Sequence, residues 1–111
     1  MSVPDIDGVI FIPEMRDAVV LKWDLGPSIF GRPAVAATIT RLEALYQSHE
    51  VIFQVQLDIR DIRVCRAVLR TGLYVEILTV TLRDAHGWVS ELHLSHDPVA
   101  PVKAVLANPL H

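Results

Sequence analysis

The chain has 111 residues, of which 51% are hydrophobic and 21% charged, and its formal net charge at pH 7 is -3. This length favours one folded domain that hides about two thirds of its unfolded surface, and the composition excludes a disordered chain. The acidic balance excludes a nucleic-acid-binding surface, which needs an excess of basic residues.

Three absences in the sequence indicate a cytoplasmic protein that makes no membrane contact. Residues 1–8 contain neither the basic nor the apolar region of a signal peptide. No apolar run approaches the roughly 20 residues of a membrane-spanning helix. Cys65 is the one cysteine, and a thiol without an internal disulfide partner is typical of a reducing compartment.

Hydrophobic periodicity predicts strands throughout the chain except for one helix. Pro33 suits the first position of that helix, because its φ is fixed and it lacks an N–H. Val35, Ile39 and Leu42 then recur at helical spacing. In chain order we predict a hairpin of strands 9–13 and 18–23, a loop 24–32, a helix 33–48, strands 51–59, 62–70, 73–83 and 88–96, and an irregular tail 98–111.

The connections between the last four strands are too short for a crossover, so neighbouring strands must run antiparallel. The predicted fold class is therefore α+β, with a curved antiparallel meander wrapped around one main helix. We predict a single domain over residues 1–111, with its core at 8–97.

The turn at Asp84–Gly87 sets the predicted register of the last hairpin. Asp at the first position and Gly at the last are typical of a three-residue loop with a glycine bulge, which pairs Asp84 with Trp88. The pairs that follow are Leu82–Ser90, Val80–Leu92, Leu78–Leu94 and Glu76–His96. The predicted core face of this hairpin consists of Tyr74, Glu76, Leu78, Val80, Leu82, Trp88, Leu92, Leu94 and His96.

A two-residue turn at Thr71–Gly72 extends that core face onto the preceding strand. The turn chemistry at Arg60–Asp61 is weak, so the polarity pattern alone decides the facing of the strand before it. The residues added to the core face are Cys65, Ala67 and Leu69 on one strand and Phe53, Val55 and Leu57 on the other.

Glu76 and His96 form the acid–base candidate on this face. A carboxylate opposite an imidazole has its proton affinity set by desolvation and by the partner charge. Such a pair can abstract and return a proton next to a carbonyl. The alternative is a structural ion pair at the end of the sheet, with His96 partly in water.

The remaining titratable groups predict no metal and no cofactor. Glu91 and His93 share one face of a strand, but two ligands are fewer than the three or four that zinc sites use, so we interpret them as surface residues. Cys65 has no basic neighbour and is interpreted as a small buried hydrophobe. The sequence contains no glycine-rich phosphate loop and no paired-cysteine motif.

The opposite face of the sheet predicts an interface. Its apolar centre consists of Val64, Val68, Val75 and Ile77. Because an exposed apolar patch of this kind marks a contact surface, we predict a homodimer packed sheet against sheet.

Three stretches resemble the nuclear transport factor 2-like superfamily, in particular its SnoaL-like branch of polyketide cyclases and ketosteroid isomerase-like proteins. They are the helix entry Phe30–Val35, the hairpin turn Asp84–Trp88 and the strand end His93–His96. The resemblance implies a cone-shaped α+β barrel around a mostly apolar pocket, commonly in a dimer.

The resemblance also implies where a site would lie. Active members of the superfamily place an Asp, Glu, His or Tyr inside the cone, and the positions that match by facing are Glu76, His96 and Tyr74. The predicted ligand-pocket residues are Phe53, Val55, Cys65, Leu78, Val80, Trp88, Leu92 and Leu94.

The chain departs from the superfamily before its first predicted strand, where the usual two N-terminal helices are missing. The pocket is then expected to be open, filled by side chains or covered by another subunit. Two functions remain. One is binding of an apolar small molecule, with isomerase- or cyclase-type proton transfer at Glu76 and His96. The other is a non-catalytic module for homodimerisation or protein interaction.

Overall fold

The computed structural model describes residues 14–107. This part of the chain contains six strands and two helices. They are β1 (Met15–Trp23), β2 (Ile29–Phe30), α1 (Arg32–Glu43), β3 (Tyr46–Leu57), β4 (Arg60–Leu69), β5 (Tyr74–Arg83), β6 (Val89–Asp97) and α2 (Ala100–Ala107). The strand predicted at 9–13, and with it the first hairpin, lies outside the described residues.

The strands form one open sheet in the order β2-β1-β6-β5-β4-β3. Strands β3 to β6 make the predicted antiparallel meander. Strand β1 instead runs parallel to β6 and antiparallel to β2. The α+β class is therefore confirmed, and the sheet is mixed rather than purely antiparallel.

The sequence predicts one helix, whereas the described residues contain two. Helix α1 carries Pro33 in its first turn, as predicted, but ends at Glu43 because Tyr46 already begins the edge strand β3. The predicted irregular tail is wrong, since α2 occupies part of it. Pro101 is tolerated there because it lies in the first turn, where backbone N–H groups have no partner within the helix. Neither helix of the described part combines the length and the hydropathy that a membrane span requires.

The two helices pack on one face of the sheet, which we call the inner face. Val35 and Leu42 of α1 and Val102 of α2 are fully buried. They meet a layer of buried strand residues that comprises Val19, Leu21, Tyr46, Cys65, Ala67, Leu69, Val75, Ile77, Val89, Leu92 and Leu94. Removal of this apolar layer from water is the main stabilising contribution to the fold.

The turn between β5 and β6 forms as predicted, but the register beyond it is wrong. Gly87 has a φ of +84°, and the Asp84 N–H donates to the Trp88 carbonyl at 2.8 Å. A bulge then omits Ser90 from the ladder, which moves every later pair by one residue. The observed pairs are Leu82–Glu91, Val80–His93, Leu78–Ser95 and Glu76–Asp97.

The turn between β4 and β5 is one residue longer than predicted. The Leu69 N–H donates to the Leu73 carbonyl at 2.8 Å, and Gly72, with a φ of +93°, ends the loop between them. Leu78 consequently pairs with Val64 instead of Cys65. A shift of one residue exchanges the two faces of a strand, so β5 lies the other way round from the prediction.

The predicted core face is therefore right for two strands and wrong for two. The predicted residues of β4 and β6 that lie inside are Cys65, Ala67, Leu69, Leu92, Leu94 and His96. The predicted core residues that face outward instead are Tyr74, Glu76, Leu78, Val80 and Leu82 on β5 and Phe53, Val55 and Leu57 on β3. Val75 and Ile77, predicted to form an interface, are 2% and 0% exposed and belong to the core.

Candidate functional site

Three side chains, which we call the buried relay, form a hydrogen-bonded chain through the protein. Asp24 directly follows β1, His96 lies near the end of β6, and Tyr46 begins β3. His96 Nδ1 lies 3.0 Å from Asp24 Oδ1, and His96 Nε2 lies 2.6 Å from the Tyr46 hydroxyl. The Asp24 carboxylate also accepts the backbone N–H of His96. This geometry fits an imidazole whose Nδ1–H donates to the carboxylate while Nε2 accepts the Tyr46 O–H.

Burial determines the charge of the relay. It lowers the pKa of His96, an effect that Asp24 partly offsets. It also raises the pKa of Tyr46, with smaller contributions from the charges of Glu43 and Asp24. Near neutral pH the imidazole is therefore neutral and the phenol protonated. Because the His96 side chain is 0% exposed, the relay ties strand ends together and presents no imidazole atom to a substrate.

The geometry predicted for Glu76 and His96 is wrong. Glu76 pairs with Asp97 in the ladder and faces outward, whereas His96 faces inward. Glu76 lies 3.6 Å from Arg66, and both side chains are about half exposed. A shallow recess of about 270 Å³ that Glu76 lines touches His96 only through its main chain, since the imidazole is wholly buried. These side chains do not share one site, and the catalytic roles of Glu76, His96 and Tyr74 stay predictions.

The predicted ligand-pocket residues do not line one cavity. Three of them, Cys65, Leu92 and Leu94, are buried in the core. Burial raises the pKa of the Cys65 thiol, in keeping with an unreactive core residue. The others lie outside that core. Phe53, Val55, Leu78 and Val80 lie on the face of the sheet opposite the inner face, which we call the outer face, and Trp88 lies in the turn between β5 and β6.

A polar recess of about 140 Å³ lies instead on the inner face of β3, β4 and β5. Two neighbouring rows of the ladder form it. One row is Gln54–Arg63–Thr79 and the next is Gln56–Asp61–Thr81. Ile62 and Arg83 complete the lining. We call this set the inner polar recess.

Three side chains of the inner polar recess are withdrawn from water. Arg63, Thr79 and Thr81 are 8%, 3% and 4% exposed. The Thr79 hydroxyl is buried and has no hydrogen-bond partner within residues 14–107. Leaving such a group unsatisfied costs about 1–3 kcal/mol, so a bound molecule that completes its hydrogen bonds would be stabilised here.

An ion pair lies in the inner polar recess. Arg83 Nε lies 3.2 Å from Asp61 Oδ2, so these two groups neutralise each other. Arg83 also donates to the Asp58 carbonyl at 2.9 Å.

A larger recess, of about 470 Å³, lies between the start of β1 and the turn after β5. The Asp84 carboxylate accepts from Arg16 at 3.0 Å and from the backbone N–H groups of His86 and Trp88. These contacts are explained by the turn itself, so we place the candidate site in the inner polar recess.

Glu91 and His93 lie at the surface, as predicted. They contact each other, and Lys22 Nζ lies 3.3 Å from the Glu91 carboxylate. The hydrogen bonds from His93 and Lys22 hold the pKa of Glu91 below its usual value. Within the described residues, no three His, Cys, Asp or Glu side chains are placed to hold a metal ion.

No protein-family model and no curated protein matches the sequence, but solved structures match the fold. A steroid delta-isomerase from Pseudomonas aeruginosa has a TM-score of 0.78 at 11% identity, over 86% of this chain and 74% of that one. A SnoaL-like protein from Jannaschia sp. CCS1 has a TM-score of 0.67 at 16% identity, over 85% of this chain and 74% of that one. A bacterial protein with a cystatin-like fold from Silicibacter pomeroyi DSS-3 has a TM-score of 0.76 at 10% identity, over 85% of this chain and 66% of that one. The chain therefore has the nuclear transport factor 2-like fold that the sequence resemblance predicted.

Proposed function

We propose that this protein binds a small molecule in the inner polar recess. The proposal rests on the Thr79 hydroxyl, which is buried without a hydrogen-bond partner in the described part of the chain. The buried guanidinium of Arg63 lies directly across the ladder from it. Desolvation of an unpartnered hydroxyl is unfavourable unless another molecule completes its hydrogen bonds.

The proposed ligand is small and polar, or it inserts a small polar end. The recess of about 140 Å³ is smaller than the roughly 300–1,000 Å³ pockets that enclose drug-sized ligands. The apolar part of the inner face is filled by core side chains such as Leu92 and Leu94. The proposal therefore replaces the expected apolar ligand, and it includes no proton transfer between Glu76 and His96, which face opposite sides of the sheet.

Fragment binding followed by NMR spectroscopy tests this proposal. We expect some members of a set of small anionic, cationic and neutral polar fragments to shift the backbone amide resonances of Thr79 and Thr81. The side-chain amide resonances of Gln54 and Gln56 should shift with them. Leu78 lies on the same strand but faces outward and serves as the internal reference. If no fragment at millimolar concentration shifts the recess resonances more than that of Leu78, the proposal fails.

The outer face of the sheet favours homodimerisation as a second function. Phe53, Val64 and Leu78 lie in one row across three strands, with Phe53 53% and Leu78 41% exposed. The other apolar residues of this face are Val55, Leu57, Ile62, Val68, Tyr74, Val80 and Leu82. A second copy that packs its own outer face on this one would remove both apolar patches from water.

Sedimentation equilibrium at micromolar concentration tests the dimer. We expect the wild-type protein to sediment as twice its 12.4 kDa chain mass and the Leu78→Asp variant as a monomer, because a carboxylate buried in an apolar interface is strongly unfavourable. Phe30→Asp is the matched control, since Phe30 is 69% exposed on β2, at the other edge of the sheet. A monomeric wild-type protein, or two variants that behave alike, would contradict the proposed interface.

A further inference from the structure

We infer that the inner polar recess binds a primary carboxamide group, held by the hydroxyl of Thr79 and the side-chain amides of Gln54 and Gln56. This inference rests on the proposed function and specifies the chemical class of its ligand. It is drawn from the hydrogen-bonding capacity of the lining, the pairing of its charged groups and the size of the recess.

The lining combines one buried neutral polar group with two exposed ones. Thr79 is 3% exposed on the interior strand β5, whereas Gln54 and Gln56 are exposed on the edge strand β3. Gln54 lies in the same row of the ladder as Thr79, and Gln56 lies in the next row. A ligand group in the recess would therefore meet a hydroxyl on its buried side and carboxamides on the side toward water.

These three side chains both donate and accept hydrogen bonds. A hydroxyl has one O–H donor and two lone pairs, and a glutamine amide has two N–H donors and a carbonyl acceptor. A primary carboxamide complements both kinds of group. Its carbonyl oxygen can accept the O–H of Thr79, which has no partner within residues 14–107, and its N–H can donate to a glutamine carbonyl. A carboxylate can only accept, and an ammonium can only donate.

The charged side chains of the lining already have partners. Asp61 and Arg83 form an ion pair at 3.2 Å, and Arg63 has a partner within the protein. An ion that entered the recess would give up its hydration without gaining a free counterion, whereas a neutral amide loses less on desolvation. The pairing of these charges therefore favours a neutral ligand group.

The size of the recess fits such a group. Its volume of about 140 Å³ corresponds to roughly five water molecules at about 30 Å³ each. A carboxamide with a short alkyl chain fits this space, and a longer remainder of the ligand would extend into water past the exposed glutamines.

Butyramide, butyrate and butylammonium serve as the probes, because they are similar in size and differ in the polar end. Each is titrated into the 15N-labelled full-length protein at pH 7 and constant ionic strength, and the shift of the Thr81 amide resonance gives the dissociation constant. We expect butyramide to bind at least about fivefold more tightly than either ion, the effect of one additional hydrogen bond. An ion that binds as tightly as butyramide would overturn the inference.

Variants assign the binding to these side chains. We expect the double variant Gln54→Ala/Gln56→Ala and the single variant Thr79→Val each to bind butyramide about fivefold or more weakly than the wild-type protein. Gln47→Ala is the matched control, because Gln47 is exposed on the same strand and does not line the recess. It should bind butyramide as the wild-type protein does. Unchanged butyramide affinity in the double variant or in Thr79→Val would overturn the inference.

These outcomes separate the inference from the proposed function. If butyrate or butylammonium binds in the recess as tightly as butyramide, the binding site stands and the carboxamide is excluded. If no fragment shifts the resonances of Thr79 and Thr81, both fail.

Discussion

Replacement of His96 by leucine is expected to lower the free energy of unfolding by about 2 kcal/mol, because the buried hydroxyl of Tyr46 loses its hydrogen-bond partner. The carboxylate of Asp24, which is 28% exposed, also loses the imidazole but can bond water. Leucine fills most of the same space but can bond neither group. Chemical denaturation monitored by tryptophan fluorescence gives the value, with His86→Leu as the control, because His86 is exposed in a turn.

A double-mutant cycle shows whether the relay acts as a unit. Tyr46→Phe removes the hydroxyl that contacts His96 Nε2 at 2.6 Å. We expect the double variant to lose less stability than the sum of the losses of the two single variants, by about 1 kcal/mol or more. The reason is that the effects of substitutions within one hydrogen-bond network are not additive. Additive losses would contradict the relay.

The same relay predicts how stability depends on pH. The pKa of folded His96 is lowered from its ordinary value of 6.5, mainly by burial, so the unfolded state binds a proton at higher pH than the folded state. The stabilisation is thus complete above about pH 6.5 and is lost as pH falls below it toward the folded pKa. We expect the unfolding free energy of the wild-type protein to decrease more than that of His96→Leu between about pH 7.5 and about pH 5.5. Parallel curves would contradict a neutral buried imidazole.

Thr79→Val is expected to stabilise the ligand-free protein by about 1 kcal/mol while it weakens the binding of polar fragments that shift the Thr81 amide resonance. Valine has nearly the same shape as threonine and lacks the hydroxyl, which is buried without a partner in the described residues. A β-branched residue is also well suited to a strand. Thermal unfolding and a fragment titration followed by NMR spectroscopy measure the two effects on the same sample.

Thr38→Val is the matched control for that variant. Thr38 is 8% exposed, but its hydroxyl donates to the Ala34 carbonyl at 2.8 Å. Loss of a satisfied hydrogen bond should leave the stability unchanged or slightly lower it, and fragment binding in the recess should not change. If Thr79→Val is destabilised as much as Thr38→Val, the Thr79 hydroxyl has a partner in the free protein and the argument for a ligand is contradicted.

The order of the elements in the meander is readable from the sequence, because it depends on local signals. Period-two alternation identifies β3 to β6, and the Asp84–Gly87 turn forms as predicted. Pro33 marks the start of α1 correctly. Helix α2 is not predicted because Pro98, Pro101 and Pro109 indicate an irregular tail, although Pro101 lies where the first turn of a helix accepts a proline.

The facing of the strands is not readable with the same certainty, because one extra residue reverses it. The bulge at Ser90 and the longer loop ending at Gly72 each add such a residue. Because of these two features and the weak turn before β4, the sequence does not show that Phe53 faces outward while Gln54 faces inward. The sequence therefore predicts Thr79 and Thr81 on the face opposite Cys65 and does not bring the residues of the inner polar recess together. The pattern of Val75, Ile77, Thr79 and Thr81, all β-branched on one face of β5, is the signal that could have identified it.

The partners of His96 could not be found from the sequence for a different reason. His96 was correctly placed on the inner face, but its carboxylate comes from Asp24, 72 positions away, and its phenol from Tyr46, 50 positions away. Asp24 lies beside His96 only because β1 runs parallel to β6, and the predicted hairpin gave no indication of that pairing.

A crystal structure of the protein soaked with a polar fragment that shifts the Thr79 amide resonance is the most direct test that the inner face of β3, β4 and β5 is a binding site. The account predicts that the fragment occupies the recess, with one of its polar atoms within hydrogen-bond distance of Thr79 Oγ1. A recess that holds only water, with the fragment absent or bound at the outer face, would contradict it.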